Sequence, residues 1–113
     1  MKLVFAIIQT TMLDNVKDAL AKEGISRLTV VDVEGYGKQK GHKEIFRGRK
    51  YEVVFTKKVQ LEIIVKDDKE KDLVIGVITA AAKTGNIGDG KIFVVPVEEV
   101  IRIRTGERNQ DAV

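Results

Sequence analysis

KLVFAIIQTTMLDNVKDALAKEGISRLTVVDVE, residues 2–34, carries the pattern that decides the fold. Lys2–Ile8 is a nearly continuous apolar run and reads as a strand buried on both faces. Thr11–Asp14 then reads as a helix start, with Thr11 as the cap and an acid three residues on. Leu13, Val16, Ala19 and Leu20 fall on one helical face, and Gly24 supplies the stop. Arg27–Glu34 reads as a second strand, ending at Gly35.

The second half repeats this order. Tyr51–Phe55 has strand character, and Val59, Leu61, Ile63 and Val65 follow in alternation with Gln60 and Glu62. Asp67-Asp68 opens a helix with Leu73, Val77, Ile78 and Ala81 at helical spacing and Gly85 at its end. The turn Asn86–Lys91 leads to a strand at Ile92–Val97, where Pro96 suits a strand end or an edge. Val100–Arg104 reads as a last short strand, and Thr105–Val113 as a polar tail. Two such strand–helix–strand units, intercalated, predict a ferredoxin-like βαββαβ α+β sandwich: a four-stranded antiparallel sheet with both helices on one face. The first strand is apolar on both faces, so the uncovered face calls for another subunit, and an obligate oligomer is expected.

With 113 residues, 43% of them hydrophobic, the chain has room for one domain, 1–113. The absence of Cys excludes a disulfide framework, a thiolate zinc site and a cysteine nucleophile. A single His excludes a multi-histidine metal cluster, and His42 lies in a basic, irregular stretch with no carboxylate fixed beside it. No Ser or Thr stands in a nucleophile elbow, so no catalytic constellation is evident and a non-enzymatic role is expected. Apolar runs fall far short of the ~20 residues that span a bilayer, and the start of the chain lacks a signal-peptide pattern. A soluble, cytoplasmic protein is expected. The net charge of +3 mildly favours anionic partners.

Three segments carry anion chemistry. In Gly35-Tyr-Gly-Lys-Gln-Lys-Gly41, glycines permit close backbone approach and lysines favour an anion, but the spacing is not that of a dinucleotide fingerprint. Thr84-Gly-Asn-Ile-Gly-Asp-Gly-Lys91 exposes successive backbone N–H groups with Lys91 as counter-charge, although such a sequence is often only a turn. In Arg102-Ile-Arg104, strand alternation would place both guanidinium groups on one face and Ile101 and Ile103 in the core. Two like charges side by side are costly unless an anion lies between them. Lys58, Lys91, Arg102 and Arg104 would then ring that anion.

Together GYGKQKGHKEIFRGRKYEV (35–53), KVQLEIIV (58–65), AAAKTGNIGDGKIFV (80–94) and VIRIRTGER (100–108) resemble the PII nitrogen-regulatory signal-transduction family across essentially the whole chain. The resemblance implies a homotrimer of ferredoxin-like domains with an effector loop at 37–55, a phosphate-binding turn at 83–91 and a C-terminal loop at 102–113. It implies ATP or ADP in clefts between subunits. Gly88, Asp89, Gly90 and Lys91 would cradle the phosphates, Lys38, Arg102 and Arg104 would neutralise them, and Thr29, Gly37 and Ile64 would line the nucleoside. Mg²⁺ would bridge ATP oxygens, the Gln39 side chain and the 2-oxo acid group of 2-oxoglutarate. Lys58 would pair with the effector's distal carboxylate while Lys40 and Gly41 close over it. The loop would control target proteins: an ammonium-transport channel, reached by Arg47, or nitrogen-assimilation enzymes or regulators, with any membrane contact made only through such a partner.

The chain departs from the family pattern at several places. Gln9-Thr10 stands where Lys-Pro is usual, Lys38 replaces a frequent Arg, Val54 a common Asp, and Thr56-Lys57 replaces Leu-Pro. Arg49 stands where some members carry a phosphorylated Ser. Tyr51, uridylylated in other members, is present as a possible modification site. The alternative reading is a ferredoxin-like RNA-binding module; no nucleic acid is expected, because adjacent aromatic pairs on a central strand are not evident.

Overall fold

The computed structural model describes residues 1–40 and 51–113, leaving out the side chains of 37–40 and 51–54. Strand β1 (Lys2–Gln9) is followed by one 3₁₀ turn (Thr10–Met12) and helix α1 (Leu13–Lys22). Strands β2 (Thr29–Lys40) and β3 (Tyr51–Val65), helix α2 (Asp68–Ala82) and strand β4 (Lys91–Pro96) complete the order. The strands lie side by side as β2-β3-β1-β4, and every neighbouring pair is antiparallel. This is the intercalated double βαβ arrangement predicted from the two sequence halves.

Alternation along β1 and β3 explains why the sheet has two unlike faces. Val4, Ala6 and Ile8 with Val59, Leu61, Ile63 and Val65 form one buried layer. Val16 and Leu20 of α1 and Val74, Ile78 and Ala82 of α2 complete the same core cluster, so both helices cover that face. On the opposite face lie Leu3, Phe5 and Ile7, with Phe93 and Val95 of β4 still 41% and 37% exposed. Phe5 and Phe93 stack there with ring centroids 5.1 Å apart. The second face of the sheet thus carries an apolar patch on β1 and β4 that is open in a single chain, with Gln60 and Glu62 of β3 beside it. Pro96 occupies the end of β4, an edge strand, where its missing N–H costs no ladder bond.

Four sequence expectations are corrected. Thr11 is not the cap of the first helix: it lies inside the 3₁₀ turn, Met12 precedes the helix, and no side chain caps either. The buried stripe of α2 runs Val74, Ile78, Ala82, whereas Leu73 is 40% exposed. Val77 and Ala81 pack only partly against the core, so the helix is rotated by about one position from the expected face. Strand β2 continues to Lys40, beyond the expected end at Glu34, because β3 pairs with it from Thr29↔Glu62 to Lys40↔Tyr51. Backbone hydrogen bonding carries that extension where apolar alternation has stopped.

The fourth correction concerns Val100–Arg104, which forms no strand. A single bridge joins Ile101 to Arg108, and the chain between them makes a tight turn. Arg102 N–H donates to the Glu107 carbonyl at 2.9 Å and Gly106 N–H to the Arg102 carbonyl at 2.7 Å. Ile101 and Ile103 are therefore not core residues; they are 48% and 99% exposed. Asp67, by contrast, caps α2 as its sequence position predicts, its carboxylate accepting from Glu70 N–H at 2.9 Å.

Candidate functional site

Residues 84–91 connect α2 to β4 and form a turn organised around one carboxylate. Asp89 Oδ2 accepts from the backbone N–H of Thr84 (2.8 Å) and of Gly85 (2.9 Å). Asp89 Oδ1 accepts from the Thr84 hydroxyl and from Gln9 Nε2, the latter at 3.1 Å. Four bonds fill the acceptor capacity of an ionised carboxyl. The Thr84 hydroxyl and backbone, more than any other group, hold the Asp89 carboxyl below its ordinary value near 3.8, with Gly85 and Gln9 adding to the effect. The carboxylate is thus spent on shaping its own loop and is not free to take a metal ion.

The glycines of the turn are a geometric necessity at one position above all. Gly90 has φ +100°, and a β-carbon there would lie 1.7 Å from the Ile7 carbonyl oxygen. The turn therefore rests directly on the backbone of β1. Lys91 opens β4 opposite Ile7, and Lys58 of β3 lies opposite Gln9. The Lys58 ammonium donates to the Gly88 carbonyl. Gly88, Asp89, Gly90, Lys91 and Lys58 are thus gathered at the Gln9 end of β1.

Arg102 and Arg104 are held elsewhere. Val97 N–H donates to the Met1 carbonyl at 3.1 Å, and Gln110 reaches the Lys66 carbonyl at 3.1 Å. These contacts fasten the C-terminal segment to the Lys2 end of the sheet, the length of β1 away, about 25 Å at ~3.3 Å per residue. The Arg102 guanidinium is paired with Glu107 within its own turn at 2.8 Å. Within one chain, then, Lys58, Lys91, Arg102 and Arg104 do not form the expected ring. Ile64 pairs with Leu3 and Thr29 with Glu62, both on the open apolar face nearer the Lys2 end. The backbones of Gly37, Lys38, Gln39 and Lys40 lie in β2, and Tyr51 begins β3. Gly41, Arg47 and the tip of the expected effector loop lie outside the described residues.

Comparison with known proteins agrees with this chain along its length. The family model "Nitrogen regulatory protein P-II" matches residues 1–107. The chain belongs to the P-II family. It is 56% identical to the nitrogen regulatory protein P-II of Nostoc punctiforme and 54% identical to that of Microchaete diplosiphon. It is 50% identical to the nitrogen regulatory protein GlnK of Escherichia coli. Each comparison covers all of both chains. A general nitrogen-regulatory role goes with this membership, and these P-II relatives are named as regulatory proteins, not as enzymes.

Two residues of the P-II turn escape a reading of the sequence. Thr84 supplies both its N–H and its hydroxyl to Asp89, and Asn86 N–H in turn donates to the Thr84 oxygen at 3.1 Å. The five-residue spacing of Thr84 and Asp89, bracketing glycines, is a faint signal for such a closed turn. Gln9 stands out in the sequence only as a departure from a usual Lys. Nothing in its neighbours indicates that it meets residue 89.

Proposed function

We propose that this P-II family chain is a sensor that binds ATP or ADP and 2-oxoglutarate and acts on target proteins through the segment between β2 and β3. The observation that carries the reading is the division of the cationic groups. Lys58 and Lys91 stand beside a turn whose acid is already satisfied, while Arg102 and Arg104 are fastened to the far end of the sheet. A phosphate chain touching Lys91 and both arginines must lie between two copies of the chain. The open face with Leu3, Phe5, Ile7, Phe93 and Val95 supports the same assembly, a homotrimer, since so much apolar surface is costly in water.

The residues present fit a nucleotide with Mg²⁺. Backbone N–H groups of a glycine turn and lysine ammonium groups suit phosphate oxygens. Mg²⁺ would be held by Gln39 together with oxygens of the nucleotide and effector, in keeping with its preference for few protein ligands. Lys58 would turn from the Gly88 carbonyl to the distal carboxylate of 2-oxoglutarate, and Lys40 and Gly41 would close over it.

Calorimetry tests the reading. ATP and ADP should bind the wild-type chain, and Arg102→Ala with Arg104→Ala should weaken both, each lost charged contact costing roughly 1.5–3 kcal/mol. Lys58→Ala should abolish 2-oxoglutarate binding in the presence of Mg-ATP and leave ADP binding nearly intact. Unchanged nucleotide affinity in the double-arginine variant would refute the shared cleft. A thermal-shift panel with RNA separates the alternative. The Phe5–Phe93 pair does place two rings on adjacent strands of the open face, but the rings stack on each other and Glu62 shares that face. Stabilisation by RNA and not by nucleotides would favour the RNA module.

A further inference from the structure

The bonds that close the 84–91 turn come from two places. Thr84 and Gly85 lie within the turn, but the remaining donor, Gln9 Nε2, comes from the end of β1, 80 residues away in sequence. We infer that Gln9 is a positioning residue of this turn: its amide holds the Asp89 carboxylate in the orientation that gathers the Thr84 and Gly85 N–H groups. The consequence for ligands rests on the reading that the turn receives phosphates.

A carboxylate only accepts, so the amide nitrogen of Gln9 is the atom that faces it. The contact is partly buried. It also lies two residues beyond Ile7, whose carbonyl sits directly under Gly90. The end of β1 therefore grips the turn at two adjacent points, by close backbone approach at Gly90 and by a side-chain bond at Asp89. Without the second grip, the Asp89 carboxylate itself would keep only donors from its own loop.

The chemical character of the grip matters as well. Gln9 brings a donor and no charge. Among the described residues, the charged groups around the turn include Asp89 itself, Lys58 on the Gly88 carbonyl, Lys91 opposite Ile7, and Lys83, which lines the same cavity as Asp89 and Lys91. At position 9 the carboxylate is bonded but not neutralised, so an incoming phosphate meets a lower positive potential than it would with a lysine there. A lysine at position 9 retains the donor and adds a charge, whereas a leucine removes both bond and polarity at similar size.

The test measures amide hydrogen exchange at Thr84 and Gly85, the ¹³C titration of the Asp89 carboxyl, and ADP affinity in the full-length protein. In Gln9→Leu, exchange at both amides should quicken, Asp89 should titrate at higher pH, and ADP should bind about fivefold or more weakly. The thermal midpoint of the core should stay close to wild type. Gln9→Lys should restore the exchange and titration and bind ADP at least as tightly as wild type at low salt. Gln9→Glu, which exchanges the donor for an acceptor at the same length, should behave like Gln9→Leu or worse, and decides the matter if the leucine variant folds poorly. Unchanged exchange and unchanged Asp89 titration in Gln9→Leu and Gln9→Glu would overturn the inference. If ADP fails to bind wild type, the functional reading falls, while exchange and titration still decide the role of Gln9.

Discussion

A methyl group on Gly90 would have to displace the Ile7 carbonyl, which would lie 1.7 Å away, at a φ of +100° that other residues rarely adopt. Gly90→Ala should therefore cost about 2 kcal/mol or more and unseat the turn from β1, read as a lower midpoint in urea unfolding. Wild-type stability in that variant would mean that the turn does not rest on the strand. Asp89 sets a pH dependence whose sign follows from its bonds. Because Thr84 foremost holds its carboxyl below the ordinary value near 3.8, the turn is favoured above that pH. The contribution fades as pH falls through the lowered value. Amides of Thr84 and Gly85 should thus lose protection only as pH falls below 3.8, through the lowered value of Asp89, and Asp89→Asn should show that loss already at neutral pH. At this scale the sequence was legible in part: the glycines marked a turn, and Gly90 is where its geometry requires one. The partner of Asp89 was not, since a bond between residues 9 and 89 exists only once strand and turn are side by side.

Among the elements, α2 shows how a local signal and a tertiary one divide the work. Its start was readable because Asp67 caps through the N–H of Glu70, three residues on. Asp67→Ala should cost about 1 kcal/mol, measurable by thermal unfolding. Which face it buries was misread by one position, because valines, isoleucines and alanines surround the stripe on both sides and only packing against the sheet and α1 chooses Val74, Ile78 and Ala82. Val74→Ala should accordingly destabilise the chain by about 2 kcal/mol, and Leu73→Ala by much less. Equal costs for the two would contradict the observed face. The β2–β3 pair teaches the converse. Residues 35–40 have no apolar period, yet they are strand because β3 lies alongside and satisfies their backbone groups.

For the whole molecule, the division of cations between the two ends of β1 makes a sharp prediction. Lys91→Ala and the double variant Arg102→Ala, Arg104→Ala should each bind ADP poorly, yet subunits of the two exchanged at equal amounts should regain tight binding at about a quarter of the clefts of a ring. No recovery on mixing would place the site within one chain. If the proposed homotrimer forms through this face, Phe93→Asp should give monomers in sedimentation, by putting a charge beside Phe5. The sequence by itself determined the order of the four sheet strands and two helices, the double βαβ arrangement, the two-faced first strand and the family, because periodicity and motif order act over short separations along the chain. Only the tertiary structure decided which face of α2 is buried, how far β2 runs, that residues 100–104 form a turn and not a strand, and that Gln9 grips Asp89 while the arginines lie at the opposite end. Those outcomes depend on backbone and side-chain partners far apart in sequence, which no local pattern encodes.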